Sequence, residues 1–161
     1  MKIIDRFCPE DYFKKIVDGI VWNYNFTWNL QDVVATDDEN QFDWYATHIV
    51  YKDSAPLSPY WEGLGNLVYS LPDFRSLIRV KINFYSRTET IIEHAKHIDC
   101  PFEHKGAILS LNTCDGFTRL EDNTKIESIA NRLLVFDSSK PHNSSTTTNA
   151  KGRFNININY L

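Results

Sequence analysis

The closing stretch Arg153-Phe154-Asn155-Ile156-Asn157-Ile158-Asn159-Tyr160 (RFNININY) decides how this chain is read. Successive side chains of a β-strand point to opposite faces. One face is therefore Phe154, Ile156, Ile158 and Tyr160, and the other is Arg153, Asn155, Asn157 and Asn159. Residues 78–85 repeat the pattern, with Ile78, Val80, Ile82 and Phe84 on one face and Arg79, Lys81, Asn83 and Tyr85 on the other. For an isolated strand, polar faces of this kind meet water. The alternative is that the apolar faces pack outward on helices from the N-terminal part while the polar faces line a hydrophilic cavity. A jelly roll allows this, because its two sheets enclose a site.

From Leu77 onward the chain breaks into short strands at 78–85, 107–112, 117–120, 132–136 and 154–160. They are separated by turn residues at Asp115-Gly116, Asp122-Asn123 and 149–152. Before them, residues 9–17 predict a helix, with Pro9 in its first turn, Glu10 and Asp11 behind it and Gly19 just past its end. A second helix opens with Ser58 as cap and Pro59 in the first position, and runs to about Leu71 before Pro72. Residues 36–41 (TDDENQ) read as an acidic loop and 44–51 as a strand. The fold class expected is mainly β with N-terminal helices, a jelly-roll core packed on helices. It forms a single domain over 1–161, with helical and mixed support at 1–76 and the core at 77–161.

The bulk composition narrows the function. The 161 residues are 42% hydrophobic and 14% aromatic, enough for a core. The formal net charge of −4 lacks the basic excess that drives duplex binding, so nucleic acid is disfavoured as a partner. Cys8, Cys100 and Cys114 form no CxxC pair, which argues against a zinc ribbon or redox dithiol and for a reduced compartment. The N-terminus has charges where a signal peptide needs its apolar run, and no stretch has the length of a membrane-spanning helix. A soluble cytoplasmic protein without a membrane partner is expected. Asn143-Ser144-Ser145 matches a glycosylation sequon by chance.

His97-Ile98-Asp99 puts an imidazole and a carboxylate two residues apart, on one face of extended chain, where both can reach one metal ion. The tripeptide alone is common. His142, 45 residues later, supplies the third ligand of a two-histidine, one-carboxylate facial triad, which leaves coordination positions open for O2 and a co-substrate on ferrous iron. A structural zinc site would need a fourth protein ligand. His94 is a rival ligand or a neighbour of the site, more simply an ordinary surface or supporting histidine. Arg153 can hold a carboxylate through paired hydrogen bonds. Lys151 is the alternative anchor, set aside because it sits in the turn with Gly152.

Six segments carry a family resemblance: RVKINFY (79–85), HID (97–99), AILSLN (107–112), DGFTRLED (115–122), NRLLVFDSSKPH (131–142) and RFNININY (153–160). Together they cover about half the chain. They resemble the core of the iron(II)/2-oxoglutarate-dependent dioxygenases, in particular the small prolyl-4-hydroxylase-like members, including the compact versions found in phage genomes. The resemblance implies a double-stranded β-helix with His97, Asp99 and His142 as ligands of Fe(II). It implies that Arg153 pairs with the distal carboxylate of 2-oxoglutarate, assisted by Tyr85, with Asn83 as a further co-substrate or substrate contact. It implies oxidative decarboxylation of 2-oxoglutarate with O2 to succinate and CO2, coupled to hydroxylation of an unactivated C–H bond, with ascorbate as an optional addition. The implied substrate is a peptidyl or free amino acid, most simply proline. Leu109 stands where some prolyl hydroxylases have a tyrosine near the co-substrate, and the asparagines of the last strand replace smaller or more apolar residues.

Two other readings stay open. One is a non-catalytic metal-binding jelly-roll module. The other is a nucleobase oxygenase, for which Arg79, Lys81, Arg87 and Lys96 form only a loose basic cluster.

Overall fold

The computed structural model describes residues 1–35 and 44–161. The acidic stretch 36–41 lies outside the described residues. The alternating segments become β5 (Leu77–Ser86) and β11 (Gly152–Tyr160), paired antiparallel in the middle of the larger of two sheets. Their register sets Arg153 opposite Tyr85, Asn155 opposite Asn83, Asn157 opposite Lys81 and Asn159 opposite Arg79, so the two polar faces merge into one patch. β11 also pairs with β6 (Lys105–Ser110), which pairs with β9 (Leu133–Asp137), and β9 takes β1 (Lys2–Ile4) at the edge. On the other side β5 pairs with β3 (Tyr45–Lys52), which carries β2 (Asn29–Gln31) and the short β4 (Ala55–Pro56). The smaller sheet is β10 (Asn143–Ser144), β7 (Phe117–Arg119) and β8 (Lys125–Glu127). Both sheets are antiparallel, consistent with the expected jelly-roll core.

The outward reading of the apolar faces holds. Val80, Ile82, Leu109, Leu133, Ile156 and Ile158 are buried against Ile16 and Ile20 of α1 (Glu10–Ile20) and Leu64, Leu67 and Val68 of α2 (Trp61–Tyr69). Between the sheets, Ile108, Leu134 and Phe136 meet Leu120 and Ile126 in a second apolar cluster. The polar patch of β5 and β11 occupies the rest of that interior, and Arg153, Asn155, Asn157 and Asn159 are all buried.

Several expectations need correction. The first 76 residues, expected as helical and mixed support with a strand at 44–51, contribute β1, β2 and β4 to the main sheet besides β3. β1, β2, β4, β8 and β10 were not expected, because two- and three-residue strands are too short to show a period. α1 runs through Gly19 to Ile20, where Ile20 joins the core; nothing within 4 Å would meet a side chain at Gly19. α2 begins at Trp61, not at Pro59. The Ser58 hydroxyl accepts from the Tyr60 amide (3.3 Å) and pairs with His48 Nε2 (2.7 Å), closing a turn ahead of the helix. No described helix is long and apolar enough to cross a membrane. Cys8, Cys100 and Cys114 are all free.

The start of the chain is fastened to the core by Asn131. Its side chain accepts from the Cys8 amide and donates to the Cys8 carbonyl, both at 2.9 Å, from a left-handed backbone at φ 63°. Asn tolerates that conformation better than most residues. Asn131→Gly is expected to lower the unfolding free energy by about 1–3 kcal/mol, through two buried backbone groups left without partners. Asn131→Ala should cost about 1 kcal/mol more for the backbone conformation. Equal midpoints for the two variants in urea unfolding would contradict this.

Candidate metal and carboxylate site

The ligand candidates meet. One donor atom each from His97, Asp99 and His142 lies within 4.8 Å of the others, a geometry that can hold a metal ion. Backbone pairing brings them together: His97 and His142 exchange both hydrogen bonds of an antiparallel bridge, at 2.9 and 3.0 Å. Asp99 follows on the same side, and Ile98 between them is 45% exposed. His142 Nδ1 lies 3.0 Å from the Lys140 carbonyl, so it carries the proton and leaves Nε2 facing Asp99 Oδ2 at 3.8 Å. The backbone of Ala95, two residues back, hydrogen-bonds the His97 ring. Burial lowers both imidazole pKa values from 6.5, so the rings stay neutral and able to donate a lone pair.

Asp99 is more heavily tied than the tripeptide alone suggests. Arg79 Nη2 donates to its Oδ1 at 2.8 Å, while Ser138 Oγ (2.5 Å), Asn159 Nδ2 (2.9 Å) and Asn157 Nδ2 (3.4 Å) donate to its Oδ2. Burial raises the Asp99 pKa. Arg79, His142 and the hydrogen bonds from Ser138 and Asn159 outweigh that and hold it well below the usual carboxylate range. Arg79 Nε also donates to Asn159 Oδ1 at 3.0 Å, so the β11 asparagine and the β5 arginine brace the carboxylate together.

Arg153 is 1% exposed, with no acidic partner among the described residues. Its guanidinium donates to Thr118 Oγ1 (2.8 Å) and more weakly to the Ser145 carbonyl (3.4 Å), lies 5.4 Å from the Tyr85 ring centre, and leaves Nε without a partner. A buried cation without a counter-ion is costly. The Arg153 guanidinium can therefore pair with an anion. Its stem needs the space at Gly116, where a Cβ would come within 2.7 Å of Arg153 Cδ and of the Thr146 carbonyl. Asn83, Tyr85, Thr118, His97, His142 and Asn157 line one narrow cavity, and Thr118 and Tyr85 among them touch Arg153. A larger groove of about 720 Å³, lined by Trp44, Arg87, Thr88 and Glu89 among others, contains no histidine.

The remaining candidates sort as follows. Tyr85 lies over Arg153 and stacks on Tyr45 (5.7 Å, 13°) and His94 (5.4 Å, 29°). Asn83 donates to Asn155 Oδ1 at 3.0 Å. His94 is not one of the clustered donors. It is buried, not on the surface, with Nδ1 2.8 Å from Ser144 Oγ, and supports Tyr85. Lys151 is exposed and reaches the Trp22 ring, at 6.0 Å. Leu109 belongs to the apolar cluster facing the helices, and its neighbour Ile108 lines the cavity, so a tyrosine at Leu109 would point away from the site. The basic cluster dissolves: Arg79 is spent on Asp99, Lys81 sits half-buried beside Tyr45, and Lys96 reaches Asn123 (3.4 Å). Thr118, Ser138 and the role of Arg79 were not foreseen. Arg79 shares strand parity with Asn83 and Tyr85, which was the available signal. Thr118 and Ser138 had none.

No protein-family model matches the sequence, and no curated protein matches it either. Solved structures match in fold. A prolyl hydroxylase from Trichoplax adhaerens, in complex with a hypoxia inducible factor peptide fragment, is similar at TM-score 0.71 and 16% identity, over 99% of this chain and 82% of that one. A 2OG-Fe(II) oxygenase family oxidoreductase from Burkholderia pseudomallei is similar at TM-score 0.70 and 11% identity, over 98% and 84%. A prolyl-4-hydroxylase from Pseudomonas putida is similar at TM-score 0.61 and 14% identity, over 99% and 90%. The resemblance carried by HID, by PH at 141–142 and by RFNININY thus extends to the path of the whole chain: it has the fold of prolyl hydroxylases and 2OG-Fe(II) oxygenases.

Proposed function

We propose that the chain is a single-domain iron(II)- and 2-oxoglutarate-dependent dioxygenase on a double-stranded β-helix, hydroxylating a peptidyl or free amino acid in the manner of a prolyl hydroxylase. The observation that carries this is Arg153, fully buried without an acidic partner among the described residues and held by Thr118 and Tyr85, which line a cavity together with His97 and His142. The donor set suits ferrous iron: two neutral imidazoles and one ionised carboxylate leave positions for other ligands. When bound, the iron supplies the coupling of O2 reduction to decarboxylation of 2-oxoglutarate, with succinate and CO2 as products.

The chain's own residues supply binding and orientation. Arg153 and Thr118 take the distal carboxylate, and the ring of Tyr85 closes over it. The narrow cavity leads from there to His97 and His142, so the 2-oxo acid end lies toward the metal ligands. Asp99 keeps its charge throughout, because Arg79 and Asn159 hold it in the ionised state. The peptide in the Trichoplax adhaerens complex supports a peptidyl substrate for the shared fold. A binding module of the same fold would hold metal and consume nothing.

Succinate formation by the iron-loaded chain tests the reading. His97→Ala should abolish it, and unchanged turnover in that variant would sink the proposal. Arg153→Met should raise KM for 2-oxoglutarate about thirtyfold or more, since it removes a desolvated cation from a charge pair. An unaltered KM would assign the carboxylate elsewhere. Metal affinity should follow the imidazoles. Because their pKa values lie below 6.5, Mn(II) affinity should fall on acidification with a midpoint below pH 6.5. A midpoint above pH 6.5, followed by calorimetry, would contradict that.

A further inference from the structure

The polar interior holds more positive than negative side chains. Arg79, Lys81 and Arg153 face it from β5 and β11, and Asp99 is the carboxylate they share it with. Arg79 is committed to Asp99. Arg153, on the oxygenase reading, is committed to the co-substrate. Lys81 is left over. Its ammonium has three donors, and its hydrogen bond to Tyr45 Oη is a long one of 3.4 Å, with the ring centre 5.2 Å away. It makes no ion pair among the described residues. Tyr45 cannot neutralise it, because burial and the neighbouring Tyr85 push that phenol up to about 12.

The position of Lys81 is specific. It stands directly opposite Asn157, which lines the cavity and touches Asp99, and two residues from Asn83 on the same face. Its charge reaches both His97 and His142. Across from it on β3, Ile49 offers an apolar surface. Asn157 Oδ1 is buried without a partner among the described residues and can accept a hydrogen bond beside it. A cation, a buried acceptor and an aliphatic wall therefore sit together next to the metal ligands.

We propose that Lys81 recognises a carboxylate of the primary substrate, so that the molecule oxidised carries a carboxylate near the reacting carbon. This rests on the oxygenase reading above. The carboxylate has two sources: the α-carboxylate of a free amino acid, whose amino group Asn157 Oδ1 would accept, or an acidic side chain in a peptide. The bound metal and 2-oxoglutarate add equal and opposite charge, so the co-substrate complex still leaves Lys81 unbalanced.

The test uses the full chain loaded with Mn(II) and 2-oxoglutarate in the absence of oxygen, with affinities read by calorimetry. Free L-proline supplies an α-carboxylate, N-acetyl-L-aspartic acid amide supplies a side-chain carboxylate, and N-acetyl-L-proline amide supplies neither. At least one carboxylate probe should bind about tenfold or more tighter than the neutral amide, and which one identifies the source. Lys81→Met should erase the preference, and Lys81→Arg should recover part of it. Equal affinities in the wild type and Lys81→Met, including no detectable binding by either, overturn the assignment. So does an equal loss of 2-oxoglutarate affinity in Lys81→Met, which would put the lysine on the co-substrate. Failure of the iron-loaded wild type to consume 2-oxoglutarate counts against the oxygenase reading. A wild type that consumes 2-oxoglutarate but shows no preference for either carboxylate probe counts against Lys81 alone.

Discussion

A strand that is apolar on one face and polar on the other usually turns its polar face to water, but here both faces are covered. β11 is such a strand, and most of the molecule follows from covering it. Its isoleucines and Tyr160 draw α1 and α2 onto the outer face. Its arginine and asparagines must be satisfied on the inner face, because a buried polar group without a partner costs about 1–3 kcal/mol. The smaller sheet closes over them, and most find partners inside: Asn155 with Asn83, and Asn159 with Arg79 and Asp99. What stays unsatisfied, Arg153 Nε and Asn157 Oδ1, borders the cavity or lies beside it.

The same arrangement prepares the site electrostatically. Asp99 is oriented by four donors before any metal arrives, so little reorganisation is needed when one binds. Three of those donors come from the two central strands. The polar patch is at once an interior that had to be neutralised and a frame that aims a ligand. The positive balance on that frame is the part its own side chains do not cancel.

Much of this was legible from residue order alone, because strand alternation is a local signal. RFNININY and 78–85 showed their two faces without knowledge of the partner strand, and HID with His142 showed a ligand set once strand order was assumed. What stayed hidden depends on contacts distant in sequence. Arg79 looked like part of a basic surface because its partner Asp99 is twenty residues away. Thr118 supports Arg153 across 35 positions, and Ser138 reaches Asp99 across 39. Leu109 was misplaced by one position of parity, and in a strand one position is a change of face. Helix ends erred for a different reason. Gly19 and Ser58 are strong local signals, and at both places packing or a competing turn won.

The backbone bridge between His97 and His142 joins segments 45 residues apart, so an unfolded chain has no such donor cluster to offer. An ion bound there would favour the native state alone, adding about 2.7 kcal/mol at a hundredfold excess over Kd. Metal scarcity would then shorten the protein's survival against proteolysis as well as slow its turnover. A cell short of that ion would hold fewer copies of the protein, and not merely idle ones.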